Sequence, residues 1–158
     1  MEKEIFLNNV KKYIALIALY LNKKEDPNFI INQEELSFFI KLSKHHSLTA
    51  LLYQALINVK VNVDKETLNK LEQYYLANLR KSILFDKERN ELFNYLKNKQ
   101  IAYLPLKGII IKNYYLDPYT REFADNDILF EDKGSALIRD FFKERKYEVE
   151  QMRRVMHC

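Results

Sequence analysis

The stretch from Leu104 to Phe130 constrains the chain more than any other. It holds Gly108, Pro105 and Pro118, which are one of only two glycines and two of only three prolines among 158 residues. In a chain so poor in turn formers, long helices are the default, and this is where the backbone is punctuated. Ile101 to Leu106 reads as a short apolar strand, Lys107-Gly108 as a turn, and Ile109 to Tyr115 as a helix stopped by Asp117-Pro118. Ala124 to Phe130 reads as a second strand. A strand turning at glycine into a helix aims free backbone N–H groups at one point. Lys107 adds a full positive charge beside it, a combination suited to a phosphate.

Side chains alternate across a strand, so Asp125, Asp127 and Leu129 share one face while Ala124, Asn126, Ile128 and Phe130 share the other. At a rise of roughly 3.3 Å per residue the two aspartate Cα atoms lie about 6.6 Å apart. Both carboxylates can then reach one hard cation such as Mg²⁺ or Mn²⁺, or a metal pair about 3.5–4 Å apart. Without a cation, two like charges so close would raise at least one of their pKa values. Taken alone, the same pattern also describes the acidic face of an exposed edge strand.

The pair has company. Leu106-Lys107-Gly108, Tyr115-Leu116-Asp117-Pro118, Arg121 and Asp125-Asn126-Asp127-Ile128-Leu129 follow one another in an order and spacing that resemble the nucleotidyltransferase-like proteins of the polymerase-beta superfamily. The likeness is to a bacterial group with the pattern Leu-Lys-Gly, Tyr-x-Asp-Pro, Arg, Asp-Ile-Asp-Leu-Leu. A weaker likeness extends upstream through His46-Ser47-Leu48, Leu51-Leu52-Tyr53 and Ala55-Leu56 to that group's helical N-terminal part. The resemblance implies a metal-dependent nucleotidyl-transfer fold with Asp125 and Asp127 as metal ligands and catalytic residues. Lys107 and Gly108 would stand where the superfamily carries its phosphate loop, and Arg121 would reach a phosphate oxygen or pin the loop by pairing with Asp117 or Glu122. Two departures stand out. Asn126 replaces an aliphatic residue on the face to be buried and needs hydrogen-bond partners there. The superfamily also takes a third carboxylate from a later strand, and this chain reaches Cys158 with only Glu148 and Glu150 available downstream. Met156-His157-Cys158 reads as a cut.

The remaining chain is helical in pattern. Phe6, Val10, Tyr13, Ile14, Ile17 and Leu21 recur at three and four residues, an amphipathic helix from about Lys3 to Leu21. Asn22 to Pro27 is a charged connection. Asn32 can cap a helix over Gln33 to Leu42 with Leu36, Phe39 and Ile40 inward. His45-His46 makes a poor chelating pair, since neighbours on a helix diverge by about 100 degrees. Ser47 can cap a helix to about Val59, and Val61 to Asp64 is a break. From Lys65 runs a pattern of some thirty residues that falters over Asp86 to Asn90: one helix, or two joined by a bend. Its aromatics Tyr74, Tyr75, Phe85, Phe93 and Tyr95 sit at core spacing rather than as a base-stacking platform. Asp132 can cap a helix from Gly134 to about Arg145, and Tyr147 to Glu150 alternates like a third strand.

These readings give an α+β fold: a helical N-terminal region, residues 1–99, packed on a small mixed sheet in a partial nucleotidyltransferase-like core, residues 100–158. Three strands leave an open edge, so the sheet is incomplete or is covered by a second copy in a homo-oligomer. The formal charge of +4 permits a polyanionic partner without pointing to one. One cysteine excludes an internal disulfide framework, and the nine-residue apolar run Tyr13–Leu21 is too short to span a bilayer. No membrane association and a cytoplasmic location are the default. The expected activity is metal-dependent transfer of a nucleoside monophosphate from a nucleoside triphosphate to a hydroxyl acceptor, which protein, RNA or a small molecule could supply. The activity is expected to be incomplete in this chain. The alternative is a nucleotide-binding or structural module without catalysis.

Overall fold

The computed structural model describes residues 2–122 and 125–148. The fold is α+β, dominated by helices, and divides into two compact units, Met1–Ser82 with Ile111–Ala124, and Ile83–Ile110 with Asp125–Cys158.

The first unit begins with helix α1 (Glu2–Leu21), strand β1 (Asp26–Asn32), helices α2 (Gln33–His45) and α3 (Thr49–Leu56) and strand β2 (Val59–Asn62). Its core gathers Tyr13, Leu16 and Tyr20 of α1, Ile31, Leu36, Phe39, four residues of α3 and Leu71. Each such side chain, fully withdrawn from water, contributes about 1.5–3 kcal/mol of transfer free energy. The buried face of α1 is therefore rotated from the expected one: Tyr13 is inside, but Phe6, Ile14 and Leu21 are exposed while Leu16 and Tyr20 are buried. A tyrosine is buried at Tyr13 because its hydroxyl meets Ser43 Oγ at 2.9 Å, a partner that periodicity does not reveal.

Strands β1 and β2 pair in parallel, Ile31 opposite Val61. Their segments read as a connection and a break in the sequence. Pro27 sits near the start of β1, where a missing N–H is tolerated, and Phe29 and Ile31 turn inward while Ile30 stays exposed. Asn32 caps α2 as expected. Its side chain accepts from the Glu35 N–H while the Glu35 carboxylate takes the Asn32 N–H, a reciprocal capping box. Ser47 does not cap α3. It takes a left-handed conformation (φ 54°), and the Glu122 carboxylate instead receives the Ala50 N–H at 2.9 Å. His45 and His46 close α2, edge to face with each other.

Helix α4 (Lys65–Asn98) is one uninterrupted helix of 34 residues, so the faltering rhythm over Asp86–Asn90 does not divide it in two. Three of its aromatics meet rings of their own unit: Tyr75 stacks on Tyr53 and Phe93 on Tyr103, while Tyr95 meets Phe141 at a tilt.

The second unit is built on an antiparallel pair, β3 (Tyr103–Pro105) and β4 (Ile128–Phe130), Leu104 opposite Leu129. Between them the chain runs through the single turn α5 (Gly108–Ile111) and 3₁₀ turns at Lys112–Tyr114 and Pro118–Thr120. Tyr103, Ile128 and Phe130 turn toward a core of Leu92, Leu96, Ile101 and the α6 (Ser135–Glu144) residues Ile138 and Phe141, whereas Leu104 and Leu129 face solvent. Both strands are shorter than expected. Asp132 opens a 3₁₀ turn rather than capping α6. Of the anticipated third strand, Tyr147 and Glu148 are exposed and not in a strand, while Val149 and Glu150 lie outside the described residues.

Candidate functional site

Asp125, Asn126 and Asp127 precede β4 as extended chain rather than paired strand, but the ladder reaches Asp127, whose carbonyl accepts the Leu106 N–H at 2.9 Å. This bond brings the turn after β3 beside the approach to β4. There the Lys107 ammonium meets Asp127 Oδ2 at 3.0 Å, with the lysine exposed and the aspartate partly so. The hydrogen bond and charge of Asp127 hold the Lys107 ammonium above the ordinary lysine range, and Asp125 adds to the same field. Lys107 and Asp127 thus form an ion pair, with Asp125 two residues before Asp127 on the same segment.

Lys107 has φ 45°, a left-handed conformation that a non-glycine residue adopts at a cost of about 1–3 kcal/mol where the surroundings hold it. Gly108 does not carry the positive φ of the turn. The helix after it is one turn only, and the Ile109 and Ile110 N–H groups bond to the carbonyls of Leu106 and Lys107 at 3.3 and 3.0 Å. The donors that the sequence pattern aims at a phosphate are in part spent on the turn itself, which leaves Lys107 as its charged element.

Asn126 finds the partner it requires in Arg89, a residue the motif reading passed over. Arg89 is 8% exposed; its Nη2 donates to Asp86 Oδ1 at 2.6 Å and its Nη1 to Asn126 Oδ1 at 3.3 Å. Both bonds arise from the polar interruption of α4 at Asp86–Asn90. That interruption was the available signal: a charged pair spaced i, i+3 within an apolar rhythm points at something worth the desolvation.

Arg121 belongs to the first unit, half-buried after the Pro118–Thr120 turn, with its Nε buried and without a hydrogen-bond partner among the described residues. The loop around it is fastened by one face of α4. Tyr75 donates to Asp117 Oδ2 at 2.9 Å, Tyr74 to Glu122 Oε2 at 2.8 Å, and the Asn78 amide to the Tyr119 carbonyl at 2.7 Å. Asp117 also caps the turn through the Tyr119 N–H. Burial first, then the bond to Asp117, pushes the Tyr75 hydroxyl up to about 12. Lys112 is buried with its ammonium over the Tyr119 ring. None of these tyrosine anchors was visible as more than core spacing in the sequence.

Among the described residues no three His, Cys, Asp or Glu side chains gather as a metal-binding group, and Glu148 stands exposed after α6. The donor set at hand is two carboxylates with an ammonium on one of them. It fits Mg²⁺ or Mn²⁺ held by one or two carboxylates with water and phosphate oxygens completing the shell, and it does not fit an all-protein cage. No helix among the described residues is long and apolar enough to cross a membrane.

Compared with known proteins, the chain matches the profile of a family described as uncharacterised nucleotidyltransferase over residues 32–153, well over half its length, from the cap of α2 through the candidate site. No curated protein and no solved structure matches it. The matched span carries the Lys-Gly turn, the Asp-Pro-anchored loop and the Asp-Asn-Asp segment together, and the chain belongs to this nucleotidyltransferase family.

Proposed function

We propose that the chain transfers a nucleoside monophosphate from a nucleoside triphosphate to a hydroxyl acceptor, with Asp125 and Asp127 as ligands of Mg²⁺ or Mn²⁺. The observation that supports this reading most is the pairing of Lys107 with Asp127, two residues after Asp125, inside the span matched by the family. When bound, the metal would supply positive charge at the phosphates and lower the pKa of the attacking hydroxyl. Lys107, exposed and cationic at the Gly108 turn, would bind the triphosphate oxygens. The acceptor oxygen forms its bond to the α-phosphorus as the bond to the bridging oxygen breaks, and pyrophosphate leaves. Protein, RNA and small hydroxylated molecules all fit as acceptors, and a cytoplasmic supply of nucleotide suits the reaction.

A second reading has its own support: with no group of three potential metal ligands among the described residues, the chain binds nucleotide as a module and transfers nothing at a useful rate. Incubation with Mn²⁺, labelled nucleoside triphosphates and a broad acceptor mixture separates the two. Pyrophosphate release that disappears in Asp127→Asn supports transfer. Metal-dependent nucleotide binding without release supports the module, and the absence of both defeats the proposal.

A further inference from the structure

Lys107 and Asp127 make an unusual pair for an exposed surface. Their backbones are registered by the Leu106 N–H bond to the Asp127 carbonyl, so the two side chains leave adjacent points of one antiparallel ribbon. Lys107 holds a left-handed backbone that most residues avoid, and the Lys107 carbonyl accepts the Ile110 N–H at 3.0 Å, which closes the turn in that state. The ammonium comes to rest at 3.0 Å from Asp127 Oδ2 while the side chain stays exposed. Asp125, one residue beyond Asn126, is exposed on the same segment.

We propose that Lys107 is the resident counterion of Asp127, and that exchange of its ammonium for a divalent cation links metal binding to triphosphate binding. This rests on the metal-ligand reading of Asp125 and Asp127. A divalent ion approaching Asp127 must displace the ammonium, which carries a like charge and occupies one carboxylate oxygen. Once displaced, the ammonium stays tethered within a few bonds of the site with its three donors unspent, and a triphosphate brought in with the metal is the anion at hand. The lysine therefore opposes metal alone and favours metal with nucleotide. Each ligand increases the affinity for the other, as linkage requires. Between substrate encounters the arrangement also keeps the carboxylates compensated.

The test is calorimetric titration of Mn²⁺ alone, and then of ATP at saturating Mn²⁺, into the wild-type chain, Lys107→Met, Lys107→Arg and Asp127→Asn, with thermal unfolding as a control. Lys107→Met is expected to bind Mn²⁺ about two- to fivefold more tightly, the scale of an exposed ion pair. The same variant is expected to bind ATP about tenfold more weakly, and Lys107→Arg should restore the wild-type pattern in both. Opposite signs for metal and nucleotide are the signature. If Lys107→Met leaves Mn²⁺ affinity unchanged or weakens it while Asp127→Asn abolishes binding, counterion exchange is wrong and the metal-ligand reading survives. If Asp127→Asn binds Mn²⁺ like the wild type, or the wild type binds none, the metal-ligand reading fails and this inference with it.

Discussion

Arg89, with 8% of its surface in water, carries its charge into the second unit on two hydrogen bonds. Truncating it to methionine would strip Asp86 of a charge-assisted bond at 2.6 Å and leave the Asn126 oxygen without its donor. The expected cost is about 1–3 kcal/mol of unfolding free energy in urea, far above that of an ordinary surface change. An unchanged midpoint would show that the pair is incidental. Tyr75 is legible in a different way, through pH. Its hydroxyl is raised to about 12 in the folded chain against roughly 10 when unfolded, so folding favours its protonated form. That contribution is whole below about pH 10 and is lost as pH rises toward 12. Tyr75→Phe should therefore flatten the alkaline decline of stability between those limits, measured by denaturant unfolding at stepped pH. An identical slope in the variant would assign the decline elsewhere. At this scale spacing singled out Lys107, Asp125 and Asp127, of which the structure pairs Lys107 with Asp127. Spacing did not single out Arg89 and Tyr75, which act on partners 37 and 42 residues away, a distance over which no local pattern speaks.

Among the elements, most helices and the strands β3 and β4 were legible, whereas β1 and β2 were not, for a physical reason. The capping box Asn32–Glu35 and the apolar rhythm of α4 are local signals, complete within one turn or repeated over many. A strand of four residues such as β2 has too little length to show a period and exists through its partner elsewhere in the chain. Helix α1 shows the limit of periodicity itself. Its apolar residues cover more than one face, and the bond between Tyr13 and Ser43 helps to decide which face goes inward. The 3₁₀ turn ahead of α6 gives a sharp case of packing. A methyl group on Gly134 would stand 2.9 Å from Ile101 Cγ2, a side chain that is itself buried. Gly134→Ala should thus destabilise by about 1–3 kcal/mol although the backbone conformation suits alanine. Pairing it with Ile101→Val, which removes bulk, should recover part of the loss in a double-mutant cycle. Additive losses would mean that the two residues do not press on each other.

At the scale of the whole molecule, the described residues form two hydrophobic clusters, each belonging to its own unit. The family profile spans residues of both units, so membership rests on the chain through its middle and not on the Asp-Asn-Asp segment alone. Composition alone could indicate neither the family nor two cores; the ordered motif from Leu106 to Leu129 carried the functional reading, and its Lys107 and Asp127 meet beside one antiparallel ribbon. That reading makes a single demand: nucleotide binding must depend on metal, and metal on both aspartates. The most direct measurement is titration of ATP with and without Mg²⁺ into the wild-type chain, Asp125→Asn and Asp127→Asn, alongside their thermal unfolding. The account predicts binding only with Mg²⁺, at least tenfold weaker in either variant, and melting temperatures that stay within a few degrees of the wild type because Asp125 is exposed and Asp127 partly so. Equal ATP binding with and without Mg²⁺, or variants that bind normally, would contradict it.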